Sequence, residues 1–216
     1  TAHMRAHSRR PRRLDPSAPH PRRDGGDRVP LLCLGAFLVA WLLLSISPRS
    51  RADWLLENLP TFAVVPALVA THRRFRFSDR AYVQGTLFLV LHTIGSHYTY
   101  SEVPLGAWAS SALDLGRNHY DRVVHFSAGL LLLRPVREAA FHRRGEPGPV
   151  ATLVLSVCGV AAGSALYEIV EWCVAAVVDP AAGIAYLGTQ GDVWDAQKDM
   201  ALAGLGALAA AAAELW

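Results

Sequence analysis

The stretch VATLVLSVCGVAAGSALYEIVEWCVAAVV, residues 150–178, decides what kind of protein this chain forms. It is longer than the ~20 mostly apolar residues that a helix needs to cross a bilayer. Its only charged residues are Glu168 and Glu171. The stretch therefore predicts a membrane-spanning helix that carries two carboxylates, and ionisable groups at such depth are costly and usually functional.

The composition of the whole chain agrees with a membrane protein. Of its 216 residues, 52% are hydrophobic and 18% are charged, and the mean hydropathy is +0.22; an average soluble chain carries about 25% charge. The net charge of +3 comes from an arginine-rich N-terminus, not from a basic face that alternates with aromatics. This excludes a nucleic-acid-binding domain. The isolated cysteines, Cys33, Cys158 and Cys173, exclude a disulfide scaffold.

Hydropathy divides the chain into a tail and a membrane domain. Residues 1–28 are rich in Arg, Pro and Ser and predict a disordered cytoplasmic tail. Residues 29–216 predict an all-α, polytopic bundle of about six transmembrane helices, which we place at 29–47, 54–70, 80–100, 121–139, 150–178 and 193–215. In the last span, Gly204, Gly206 and the alanines at 209–213 predict close helix packing.

The arginines predict the orientation, because cytoplasmic loops hold the excess of basic residues. Eight arginines precede the first span, four lie between the second span and the first residue of the third, and four lie at and after the end of the fourth. The opposite connections, counted to the first turn of the next span, hold two, two and none. Both termini are therefore predicted to be cytoplasmic.

With this orientation, the unusual polar residues all fall in the outer halves of the spans. Asp121 and His125 are four residues apart and share a helix face, as do Glu168 and Glu171, three apart. A third set, Asp192, Asp195 and Asp199, forms one carboxylate stripe. Helical metal sites are built from such side chains on several helices, and imidazole with carboxylate suits zinc, manganese or iron.

We therefore predict an outward-opening site with two kinds of residue. The predicted metal ligands are His125, Asp121, Asp195 and Asp192, and the predicted catalytic carboxylates are Glu168, Glu171 and Asp199. A metal-bound water would be the nucleophile, with a spare carboxylate as general base. Further polar residues predicted near the site are His92, His97, Tyr100, Glu102, His119, Tyr167, Gln190 and Lys198.

Several alternatives stay open on the residues alone. His92 and His97 are five apart and diverge on a helix, so only one of them can face the cluster. Lys198, the only lysine, either compensates the carboxylate stripe or belongs to the site. The cluster as a whole suits three classes of protein. The first is a metal-dependent enzyme or binder that takes a lipid-linked or envelope substrate. The others are a proton-coupled transporter and a non-catalytic scaffold whose polar cluster is a structural plug.

Four blocks of sequence carry a family resemblance. They are HTIGSHYTY (92–100), RNHYDRVVHF (117–126), YEIVEW (167–172) and GTQGDVWDAQKDM (188–200). Together they resemble the YjdF-like family of bacterial inner-membrane proteins, which implies a multi-pass inner-membrane location and contact with membrane lipids, but no assigned activity. The pattern of Asp121, His125 and the three aspartates is also distantly similar to VanZ-like proteins. Where that pattern has Asn, this chain has Asp199, so the antibiotic-resistance role of those proteins is not carried over.

Overall fold

A computed structural model describes residues 26–143 and 145–215. Most of the predicted N-terminal tail lies outside these residues. Within them the regular secondary structure is entirely α-helical, which confirms the predicted fold class. The helices are α1 (Arg28–Leu44), α2 (Arg51–Glu57), α3 (Leu59–Thr71), α4 (Asp79–His97), α5 (Pro104–Leu113), α6 (Tyr120–Phe141), α7 (Pro149–Ala175), α8 (Pro180–Leu187) and α9 (Asp195–Leu215).

The predicted second span is two helices with a bend of 43° between them. The break lies at Asn58, just before Pro60. A proline inside a helix lacks the N–H that would bond to the carbonyl four residues earlier, and its ring collides with that carbonyl. Pro60 therefore accounts for the break, whereas Pro66 is accommodated inside α3.

Only part of the predicted span count follows from length and composition. Among the described helices, α7 alone is long and apolar enough to cross a membrane, and α2 with α3 would be a second if the bent pair is one span. The 17-residue α1 is apolar but short. Both α6 and α9 exceed 20 residues but carry several charges. Length and composition thus support one or two spans of the six that the sequence predicts.

The outer surface of the bundle is apolar. On α1, Leu32 and Leu43 are more than 60% exposed, and on α7 Leu166 and Trp172 are exposed to a similar degree. Monomeric soluble proteins rarely expose contiguous apolar patches of this kind. This surface is suited to a hydrocarbon environment.

The centre of the bundle is the contact between α6 and α9, which run parallel. A Cβ at Gly129 of α6 would collide with the backbone carbonyl of Ala203, and a Cβ at Gly206 of α9 would collide with the carbonyl of Phe126. Ala207 is fully buried in the same contact. The predicted close packing of the last helix is confirmed at Gly206. At Gly204 it is not, since a Cβ there meets nothing within 4 Å.

We predict that Gly206→Leu destabilises the protein and that Gly204→Leu does not. The side chain at 206 would meet backbone atoms that cannot move aside, so we expect a loss of at least ~3 kcal/mol in the free energy of unfolding. Thermal unfolding in a mild detergent measures the effect. Equal melting temperatures for the two variants would contradict the proposed contact.

Candidate functional site

The ends of α4, α6, α7 and α9 meet at one end of the bundle and bring the polar blocks together. The outermost layer is a set of ion pairs between the loop before α6, the first turn of α6 and the segment that leads into α9. Arg117 Nη1 lies 2.6 Å from Asp195 Oδ1, and Arg122 Nη2 lies 3.3 Å from the same oxygen. Arg122 also bonds to Asp192, and Lys198 Nζ lies 2.6 Å from Asp192 Oδ2.

These ion pairs occupy two carboxylates that we predicted as metal ligands. Asp192 Oδ1 also accepts from the Trp194 backbone N–H, so both of its oxygens are engaged. The hydrogen bonds from Lys198 and Trp194, together with Arg122, hold the pKa of Asp192 well below its usual range. Asp192 and Asp195 therefore bind arginine and lysine here, and Lys198 compensates the stripe.

A second layer lies one turn deeper, and in the described part of the chain no arginine or lysine forms an ion pair with it, although Arg117 and Arg122 lie near Asp121. Ligand atoms of Asp121, His125 and Asp199 all lie within 4.8 Å of one another, although the three residues come from α6 and α9. His125 Nε2 is 3.5 Å from Asp121 Oδ1 and 3.5 Å from Glu168 Oε1 of α7. Two helices thus supply one imidazole and two carboxylates to a common point, and α7 adds the Glu168 carboxylate beside the imidazole.

Two carboxylate oxygens of this layer are buried without a hydrogen-bond partner in the described part of the chain. They are Asp199 Oδ1 and Glu168 Oε1. Asp199 is only 2% exposed. A buried polar atom without a partner is costly, and a carboxylate more so. The two oxygens are therefore suited to a cation or a proton that completes the layer.

A third group joins α2, α4 and α7 beside this layer. Tyr167 Oη donates to Glu57 Oε2 at 3.1 Å. His92 Nε2 lies 3.0 Å from the backbone oxygen of Glu57, and its Nδ1 lies 2.5 Å from Tyr100 Oη. Since a carbonyl only accepts, Nε2 of the neutral ring carries the proton and Nδ1 accepts from the tyrosine hydroxyl.

The structure separates the two histidines that the sequence left undecided. His92 is 6% exposed and belongs to the cluster. His97 instead lies against α1, where its Nδ1 is 2.7 Å from the backbone oxygen of Leu44.

Three other predicted residues have structural partners away from the second layer. Glu102 pairs with Arg49 at 2.9 Å on the exposed rim. Gln190 holds the two outer loops together, since it accepts from the Asn118 backbone N–H and donates to the Asn118 carbonyl. His119 Nδ1 lies 3.3 Å from Arg122 Nη1. These contacts explain the three residues as parts of the loop framework.

Sequence reasoning did not assign Arg117, Arg122 and Glu57 to the site. The two arginines were counted only as loop charges. A stripe of partly buried carboxylates needs nearby positive charge, and this requirement could have pointed to the two arginines. Glu57 was visible as an acidic residue at the start of a span, but its partner Tyr167 is 110 residues away.

A cavity of about 430 Å³ begins at this cluster and extends into the bundle. His92, Asp121, His125, Tyr167 and Glu171 line its polar end. The opposite end is lined by apolar side chains such as those of Phe77, Leu132 and Val136. The site is thus the polar end of an elongated, mostly apolar pocket, whose volume is typical of ligand pockets.

We predict that the buried ion pair contributes much more to stability than the exposed pair. Arg117 and Asp195 are 9% and 5% exposed, so Arg117→Gln removes a buried charged hydrogen bond, leaves Asp195 with Arg122 alone and should lower the free energy of unfolding by roughly 1.5–3 kcal/mol. Arg49 and Glu102 are 63% and 53% exposed, so Arg49→Gln should cost at most about 1 kcal/mol. Denaturant unfolding in detergent gives both values. Similar losses in the two variants would contradict the buried pair.

Comparison with known proteins agrees with the membrane character of the chain. Residues 29–216 match the family described as "Predicted membrane protein (DUF2238)". The chain is also 37% identical over 182 residues to the "Inner membrane protein YjdF" of Escherichia coli (strain K12), a match that covers 83% of this chain and 87% of that protein. No solved structure matches significantly. This chain is therefore a member of the YjdF-like DUF2238 family of predicted membrane proteins.

Proposed function

We propose that this protein is a six-span protein of the bacterial inner membrane, with both termini in the cytoplasm and its polar cluster at the outer face. The spans would be α1, the bent pair α2–α3, α4, α6, α7 and α9. The distribution of arginines supports this orientation. The ion pairs supply counter-charge at the outer ends of α6 and α9, and at the inner end Arg134 and Arg137 both bind Glu214. Such pairing lowers the cost of charges in α6 and α9, two of the helices that length and hydropathy do not identify as spans.

We further propose that Asp121, His125 and Asp199 hold a divalent metal ion and present it to a lipid-linked or envelope substrate. The observation that carries this proposal is the convergence of three ligand atoms within 4.8 Å. A mixed nitrogen and oxygen set of this kind suits zinc, manganese or iron. With three protein ligands, a tetrahedral metal keeps one open position, as catalytic zinc sites do.

The neighbouring carboxylates would give the site its chemistry. A divalent cation would supply Lewis acidity and would lower the pKa of a water bound to it. Glu168 Oε1 lies 3.5 Å from His125 Nε2, has no hydrogen bond in the described part of the chain and is placed to accept a proton. Glu171 lies at the polar end of the cavity and is the second candidate for this role. The arrangement thus fits hydrolysis of a polar head group better than covalent catalysis by a side chain.

The metal proposal is tested by titrating purified protein with Zn²⁺ and Mn²⁺ in a calorimeter. We expect one ion per chain for the wild type, and a loss of binding of at least about tenfold (~1.4 kcal/mol) in Asp199→Asn and His125→Ala. His97→Ala is the matched control, because this histidine contacts a backbone carbonyl far from the three ligands. It should bind metal like the wild type.

A wild-type protein that binds no more metal than His125→Ala would contradict the metal site. That result would favour the second candidate function, proton-coupled transport. The observation in favour of transport is the set of Glu57, Tyr167 and Glu171, in which two carboxyl groups and a phenol meet and no arginine or lysine of the described residues forms an ion pair with them. Such groups form proton relays in membrane transporters.

The orientation is tested with single cysteines in a variant whose three native cysteines are replaced by alanine. Ser111→Cys, in the exposed outer loop, should react in intact spheroplasts with a thiol reagent that cannot cross membranes. His142→Cys, at the exposed opposite end of α6, should react only after permeabilisation. Labelling of both positions in intact spheroplasts, or the reverse pattern, would contradict the orientation.

A further inference from the structure

The cavity has the polarity of a lipid in a membrane. It follows α6 from Asp121 to Val136, about 22 Å at 1.5 Å per residue. Its carboxylates and histidines are confined to the end at Asp121 and His125, whereas the remainder is lined mainly by apolar side chains, with the hydroxyls of Tyr82, Thr86 and Ser164 among them. A lipid in the leaflet on that side would have its head group at the same end and its chain pointing the same way. The pocket therefore matches such a molecule in both direction and chemistry.

The helix arrangement leaves one side of this cavity weakly closed. The back wall of the cavity is α6, and α4 and α7 both pack against it. In contrast, α4 and α7 do not pack extensively against each other. The remaining wall is α3, which among the described helices makes extended contact only with α2. Of the described residues of α3, only Thr61 is buried. A chain can thus enter from the bilayer beside α3 without crossing the packed core.

We infer that this cavity binds the hydrocarbon chain of a lipid whose anionic oxygen head group, a phosphate or a carboxylate, lies at Asp121, His125 and Asp199. This inference rests on the proposed function, because an anionic head group needs the metal ion there. Without the metal, the carboxylates at the polar end would repel an anion. With the metal ion bound, its open coordination position would accept an oxygen of the head group. Asp121 and His125 both line the cavity, so the head group would reach the ion from the cavity.

Two glycines allow the chain site to be blocked without disturbing the fold. Gly85 on α4 and Gly163 on α7 both line the cavity, and a Cβ at either position would meet no atom within 4 Å. Leucine at these positions would project into the space that the chain needs. It is also a better helix former than glycine.

Gly35→Leu is the matched control. Gly35 lies on α1, is exposed, has equally open space around it and does not line the cavity. The three substitutions are chemically identical, so a difference between them reports position alone.

The experiment uses the full chain in phosphatidylcholine nanodiscs and twelve-carbon probes with a photoreactive diazirine in the chain. A phosphate probe and a carboxylate probe distinguish the two anionic head groups. A trimethylammonium probe tests the need for negative charge, and free inorganic phosphate tests the need for the hydrocarbon chain. Each probe is tested with and without Zn²⁺, and the labelled residues are found by mass spectrometry. Zn²⁺ binding is measured on the same samples.

We expect at least one anionic probe to label residues of α3, α4 or α7 that line the cavity, in a Zn²⁺-dependent way. Gly85→Leu and Gly163→Leu should reduce this labelling by about tenfold (~1.4 kcal/mol) while keeping Zn²⁺ binding, and Gly35→Leu should leave the labelling unchanged.

The inference would be overturned if the two cavity variants were labelled as strongly as the wild type. It would also be overturned if the cationic probe labelled the cavity as strongly as the anionic probes. Wild-type protein that binds Zn²⁺ without cavity labelling would overturn the inference alone. Protein that binds no Zn²⁺ would overturn the metal site and the inference with it.

Discussion

The rest of the structure depends on the close approach of two parallel helices, α6 and α9. Gly129 and Gly206 remove the side chains that would otherwise keep the backbones apart. In a membrane, helix association depends on this kind of van der Waals contact, because lipid tails are as apolar as leucine. The contact brings Asp121 and His125 within reach of Asp199, although about 75 residues separate them in the chain. The geometry of the candidate site is therefore a consequence of helix packing.

Electrostatics divides the polar cluster into two layers with different properties. In the outer layer, Asp192 and Asp195 are balanced by Arg117, Arg122 and Lys198, and this layer closes one end of the bundle. The deeper layer has carboxylates and an imidazole that form no ion pair with arginine or lysine among the described residues, and its buried oxygens do not all have hydrogen-bond partners there. A structural plug would have its buried polar groups paired. The unpaired oxygens are the reason for preferring a ligand-binding role for the deeper layer.

The sequence allowed a good prediction of the all-α class and of the gathering of the polar residues at one end of the bundle, because residue composition and spacing along a helix are local quantities. It predicted less well which carboxylates share a centre. Spacing placed Asp192, Asp195 and Asp199 on one stripe, but it could not show that arginines from another segment take the first two. Likewise, spacing showed that His92 and His97 diverge, whereas the neighbours of α4 decided that His92 faces the cluster and His97 faces α1.

The sequence by itself determined that this chain is a helical membrane protein with costly ionisable groups, since both properties follow from residue type and from periodicity along one helix. The tertiary structure alone decided which charges cancel, which remain unpaired and where a cavity adjoins them. Those properties depend on distances between segments far apart in the chain, such as Glu57 and Tyr167. The packing of glycine and alanine faces sets these distances, and the sequence of any single helix does not contain them.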